Sequence, residues 1–231
     1  GMHAYLKPMF LKTLKPAAKT GVAGAAIPAA MASADNALDR TPKMYIGGKQ
    51  ARPDSGYTRP VLAADGSVAG AVGDGNRKDI RDAVEAARKA EAWSKATAHN
   101  RAQVIYYIAE NLEARAAEFR DRICLMTGQT KRAAAREVAA SVSRLFTYGA
   151  WADKYDGRVH ATPLRNVTVA MNEPLGVMGV VCPEENPLLG FISLAIPPLA
   201  MGNRVVAVPS ARHPLAATDL YQVLDTSDVP G

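Results

Sequence analysis

Two short apolar runs, residues 177–182 and 205–208, constrain this chain more than anything else in it. Both are continuous and rich in valine, the pattern of parallel strands covered on both faces, where the polar–apolar alternation of a half-wet strand is lost. Between them, residues 188–201 read as a helix stopped by Gly202-Asn203, because glycine accepts the left-handed turn that ends helices. Residues 215–224 predict the next helix. A parallel pair needs a crossover long enough to span the sheet, and a helical crossover covers one of its faces. The order β-α-β-α therefore predicts the opening of a doubly wound α/β sheet. At 231 residues and 48% hydrophobic, the chain is long enough to bury a sizeable core.

The preceding sequence predicts a helical layer with short strands ahead of it. Met44-Tyr45-Ile46 before Gly47-Gly48 reads as a strand and a tight turn. Pro60-Val61-Leu62 and Ser67-Val68-Ala69 flank the turn residues Asp65-Gly66. Asn76, with Asp79 three residues later, caps a helix whose stripe is Ile80, Ala83, Val84 and Ala87. A second helix over 100–116 carries Val104, Ile108 and Leu112. A third, broken at Gly128, carries Phe119 and Ile123. A fourth carries Ala135, Val138, Val142, Leu145 and Gly149. Each stripe reads as core packing and none as a ligand site. Residues 167–171 alternate on a two-residue period, predicting a half-exposed antiparallel strand.

Several function classes fall away on composition. A net charge of +6 without an RNP, zinc-finger or Gly-Arg pattern argues against a nucleic-acid partner. Cys124 and Cys182 suit a reducing cytosol and supply neither a disulfide framework nor a zinc site. His3, His99, His160 and His213 lack metal-ligand spacing. No run reaches the ~20 apolar residues of a membrane span. Gly1 ahead of Met2 reads as a cloning scar. The basic Ala/Gly-rich stretch ending at Ala32-Ser33-Ala34 has the outline of an export signal, but Pro28 and the scarcity of Leu, Phe and Ile make a poor apolar region. A flexible Ala/Pro/Gly linker fits it better. No internal repeat is visible.

Four motifs stand in order along the chain: Met44-Tyr45-Ile46-Gly47-Gly48-Lys49-Gln50, Tyr148-Gly149-Ala150-Trp151-Ala152-Asp153-Lys154-Tyr155-Asp156-Gly157, Glu173-Pro174-Leu175-Gly176-Val177 and Leu199-Ala200-Met201-Gly202-Asn203. In that order and spacing they resemble the NAD(P)-dependent aldehyde dehydrogenase family from about Lys43 to Gly231. The resemblance implies N-terminal helices packed on the first half of a Rossmann-type doubly wound parallel sheet. It divides the chain into residues 1–40, a linker or tail, and 41–231, a partial cofactor-binding domain. Within the latter, 41–160 hold strands and helices, 161–175 the family's oligomerisation strand, and 176–231 the start of the nucleotide fold. It further implies a homo-oligomer, expected to be a dimer, and NAD or NADP as cofactor. Met2-His3-Ala4-Tyr5-Leu6-Lys7-Pro8 is similar to the end of an aldehyde dehydrogenase, which implies an upstream module of the same family.

The residues expected at the family's site positions differ from its pattern. Where the family has P-W-N-[FY]-P-L, this chain has Pro183-Glu184-Glu185-Asn186-Pro187-Leu188. Glu185 stands at the position of the oxyanion-stabilising Asn, where a carboxylate would repel an oxyanion, and its neighbour Asn186 stands at the aromatic one. Where the family has V-V-x-K-P-[SA]-E, Val208 replaces the Lys and Ala211 the Glu that hold the adenosine ribose, while Pro209 and Ser210 remain. Cys182 and Pro183 close the first strand of the implied cofactor site. Cys182 reads as a small buried hydrophobe rather than a nucleophile. Arg212 reads as a surface arginine, with an NADP 2′-phosphate contact as the alternative. The family's nucleophilic Cys and base Glu fall beyond Gly231. The expectation is a cytoplasmic family domain that is non-catalytic by itself and structural or regulatory. The alternative is a fragment of an active NAD(P)-dependent aldehyde dehydrogenase whose Cys lies beyond residue 231.

Overall fold

A computed structural model describes residues 43–230. The expectations placed on 1–40, whether linker, export signal or tail of an upstream module, lie outside the described residues. Strand β1 (Met44–Ile46) turns through Gly47 and Gly48, both at positive φ, into antiparallel β2 (Lys49–Ala51). A second hairpin pairs β3 (Thr58–Leu62) with β4 (Val68–Gly73). Helix α1 (Arg77–Lys89) begins with a capping box: the Asn76 side chain accepts from Asp79 N, and Asp79 Oδ2 accepts from Asn76 N at 2.7 Å. Asp79 Oδ1 also accepts from Asp54 N, at 2.9 Å. That bond ties the hairpin loop to the helix start.

Short α2 (Glu91–Lys95) leads to α3 (Ala98–Ala114), α4 (Ala116–Thr127) and α5 (Lys131–Trp151). Gly128 ends α4 at φ 71°. α3 and α5 pack along one another, α4 packs on α5, and α5 receives α6 (Pro187–Ala200). The core is where these four helices meet. It is built from Ile105, Ile108 and Leu112 of α3, Phe119 and Ile123 of α4, Leu145 of α5 and Ile192 and Ile196 of α6, all fully buried.

β5 (Arg158–His160) and β6 (Thr168–Ala170) form an antiparallel hairpin. β7 (Val177–Val181) and β8 (Arg204–Val208) form a parallel pair in register, Val177 opposite Arg204 and Val181 opposite Val208. The crossover between them is α6, and α1 also packs against the pair. The α6 C-terminus is closed by groups from elsewhere: Trp93 Nε1 donates to Leu199 O, Arg101 Nε to Ala200 O, and Ser94 Oγ to Gly202 O. The Asn203 amide bridges the two strand starts to this helix end. It accepts from Gly176 N at 3.1 Å and donates to Pro198 O at 3.2 Å. Gly202 sits at φ 83°, where a Cβ would also press on Pro174 at 3.0 Å. α7 (Leu215–Asp219) and α8 (Tyr221–Asp225) follow.

Five expectations need correction. The strands over 177–182 and 205–208 are half-buried rather than covered on both faces, and Val181 is 77% exposed. Among the described residues β8 pairs with β7 alone, so the pair lacks neighbours that would enclose it. For the same reason the α1 stripe is not closed core: Ile80 is exposed and, with Ala83, faces a trough. In α5 the buried position is Ala134, and Ala135 faces solvent. The strand expected over 167–171 is exposed on both faces rather than half-exposed. The single helix expected over 215–224 is two short helices meeting at Leu220.

Candidate functional site

The carboxyl ends of β7 and β8 lie side by side, and each runs into a loop. The first, residues 183–186, enters α6 through Asn186 in the left-handed region (φ 48°, ψ 64°) and Pro187. Proline is suited to a first helical position because its missing N–H is not needed there. Gly190, one turn on, leaves room for the Pro183 ring, which a Cβ would meet at 2.7 Å. Asn186 supplies no side-chain cap. Instead Glu137 reaches across from α5, and its Oε1 accepts from Leu188 N at 3.0 Å and Leu189 N at 3.3 Å. Glu137 is 5% exposed, and its Oε2 is buried without a hydrogen-bond partner. Burial raises its carboxyl pKa above the ordinary value, while the two N–H groups pull the other way.

The second loop, residues 209–213, is organised by Ser210, which is 2% exposed. Ser210 Oγ accepts from His213 N at 2.9 Å and donates to Glu184 Oε2 at 2.8 Å. The same Glu184 oxygen accepts from Arg212 N at 3.0 Å. His213 Nδ1 lies 3.2 Å from Glu184 O, and Arg59 Nη2 donates to Ala211 O at 2.7 Å. The Ser210 hydrogen bond, followed by the backbone N–H groups of Arg212 and Ala211, holds the Glu184 carboxyl below its usual range.

Beneath this loop lies a trough of about 470 Å³, within the range of small-molecule sites. Its walls are mainly apolar, with Ile80 and Ala83 of α1, Phe191 and Leu199 of α6, Val206 of β8 and Tyr221 of α8. Residues 209–211 border it, and Arg59, Asp79 and Arg204 are among its polar lining.

The structure gathers the residues singled out from sequence. Cys182, Pro183, Glu185 and Asn186 stand at the end of β7; Val208, Pro209, Ser210 and Ala211 stand at the end of β8. Cys182 N donates to Val208 O at 2.9 Å, joining the two groups. The Cys182 side chain is buried, which pushes its thiol pKa up; a thiol so placed is a poor nucleophile. Glu185 and Asn186 are exposed. Sequence reasoning missed the parts played by Glu184, Glu137 and Arg59. Their partners are 26, 51 and 152 residues away, separations that no local pattern reports.

A parallel strand pair with a helical crossover and two loops facing each other at its carboxyl ends defines a protein of the doubly wound α/β class. The aldehyde dehydrogenase family model matches residues 52–231, and the chain belongs to that family. It is 31% identical over 196 residues to a 2-hydroxymuconic semialdehyde dehydrogenase of Pseudomonas sp. strain CF600, covering 81% of this chain and 40% of that protein. It is 29% identical over 197 residues to the cytosolic 10-formyltetrahydrofolate dehydrogenase of Mus musculus, covering 81% and 22%. Among solved structures, an aldehyde dehydrogenase of Bacillus cereus superposes with a TM-score of 0.80 at 26% identity, covering 84% of this chain and 40% of that one. The betaine aldehyde dehydrogenase of Staphylococcus aureus, in complex with NAD⁺, gives 0.79 at 25% identity, covering 82% and 39%. The chain thus spans about two fifths of the first of these relatives and of both structures. No helix among the described residues is long and apolar enough to cross a membrane.

Proposed function

We propose that this chain is an aldehyde dehydrogenase-family module that does not catalyse the family's NAD(P)-dependent oxidation of an aldehyde by itself, and that it serves a larger assembly structurally or in regulation. The observation that carries this reading is the chemistry at the strand ends. Val208 and Ala211 present no hydrogen-bonding side chain where the resemblance expects a Lys and a Glu on the ribose diol. A carboxylate, Glu184, lies on the Ser210 and Arg212 donors of the same loop. Burying ribose hydroxyls against alkyl groups leaves each poorly paired, at about 1–3 kcal/mol apiece. The residues present therefore do not fit the dinucleotide. Glu185, exposed in the first loop, offers a negative charge where the family places a neutral donor.

The assembly is a homodimer held through the β5–β6 hairpin, in the cytoplasm, with residues 1–40 linking 41–231 to an upstream module of the same family. A second reading, part of an active aldehyde dehydrogenase whose nucleophile lies beyond residue 231, draws on one observation. Relatives bearing dehydrogenase names are more than twice as long as the segment they share with this chain.

Calorimetric titration of NAD⁺ and NADP⁺ into the native chain and into a Val208→Lys, Ala211→Glu variant tests the first reading. The native chain is expected to show no binding up to millimolar nucleotide, and the variant to gain measurable affinity. Micromolar binding by the native chain would sink the non-catalytic reading and favour the second.

A further inference from the structure

Ser210 and the backbone of residues 211–212 form a set of convergent donors, and in this structure a carboxylate from the neighbouring loop occupies it. The hydroxyl of Ser210 is buried and fixed, since it accepts from His213 N while donating to Glu184. Arg212 N donates to the same oxygen, and Ala211 N–H adds to the stabilisation of the charge. Arg59 holds the Ala211 carbonyl, which fixes the orientation of the next peptide. A hydroxyl with successive backbone N–H groups on a rigid turn is a donor set for a tetrahedral oxyanion as much as for a carboxylate. Arg59 and Arg212 bring positive potential to the same turn. The two sides differ in mobility. Ser210 is locked, whereas the Glu184 side chain is exposed and is held at its end by these bonds. Swinging it out costs little beyond the bonds themselves.

We propose that Glu184 is an intramolecular competitor, occupying in the free chain the donors on which a phosphate-bearing ligand would sit, so that such a ligand binds only when Glu184 swings away. This rests on the reading of the β7 and β8 carboxyl ends as the nucleotide face, and it adds a reason for weak binding beyond Val208 and Ala211. The carboxylate is tethered one loop away, at an effective concentration on the millimolar scale. A ligand that must displace it has its apparent affinity divided by the fraction of chains in the open state.

Inorganic pyrophosphate is the probe, because it makes no demand on the ribose positions. It would be titrated into the native 231-residue chain, Glu184→Gln and Glu184→Ala, with ¹⁵N–¹H shifts of Ala211 and Arg212 followed in parallel. Glu184→Ala is expected to bind roughly tenfold more tightly than native, Glu184→Gln to fall between them, and both amides to move on binding. Equal affinity in native chain and Glu184→Ala overturns the proposal. So does a gain that leaves those two amides unmoved, or the absence of binding to every form. Failure here is separable from failure of the nucleotide titration, which turns on Val208 and Ala211 and leaves Glu184 in place.

Discussion

Glu137 shows how one side chain links two helices at a cost that depends on pH. Its Oε1 satisfies the first free N–H groups of α6, which an N-cap side chain would otherwise take, while its second oxygen has no partner. Because burial raises its folded pKa above the unfolded value, the folded state binds this proton more tightly than the unfolded one. The resulting stabilisation is complete below the unfolded carboxylate pKa of about 4.3 and is lost as pH rises through the raised value. Melting temperatures of native chain and Glu137→Gln, followed from pH 3.5 to 7.5, are expected to show the native chain losing ground to the variant over that window. Parallel curves would mean that the carboxyl titrates as it does in the unfolded chain. Nothing in the local sequence around Glu137 marks it for this role, because its partners, Leu188 and Leu189, belong to another helix. Cys182 is the opposite case: as a small apolar residue closing an apolar strand, its burial was legible from its neighbours alone.

At the scale of elements, the β7–α6–β8 unit was legible because both of its signals are local. Valine-rich runs disfavour helix, and Gly202-Asn203 terminates one. What the sequence did not carry is how the α6 end is anchored: Trp93, Arg101 and Asn203 donate to its last carbonyls from three separate places. Asn203 is buried and joins α6 to the starts of β7 and β8, so Asn203→Ala leaves Gly176 N and Pro198 O without that partner. A loss of about 1–3 kcal/mol is expected, read as a lower urea midpoint at unchanged slope. An unchanged midpoint would show that water replaces the amide without loss. The exposed face of α1 is also an element-scale result. Its stripe has ordinary helical spacing, and whether such a stripe meets core or open space depends on what lies beyond β8.

For the whole molecule, the β5–β6 hairpin stands out. Val159 and Val169 face each other across it, and both are exposed, as are Val167, Met171 and Leu175 nearby. A two-stranded hairpin is marginal in water unless something covers a face, and an apolar patch of this kind marks an interaction surface. A dimer through this hairpin predicts that Val159→Lys with Val169→Lys lowers the sedimenting mass from two chains to one without lowering helix content. A native chain that already sediments as a monomer would refute the dimer.

The α/β class, the order of the principal strands and helices, and the two loops that end β7 and β8 were all readable along the chain. Propensity, capping and periodicity act over a few residues, and the family motifs are short runs. That Glu184 lies on Ser210, that Glu137 caps α6 and that α1 borders a trough emerged from the folded arrangement. Each of those outcomes is a contact between groups distant in the chain, and such contacts depend on the packed geometry that brings the groups together.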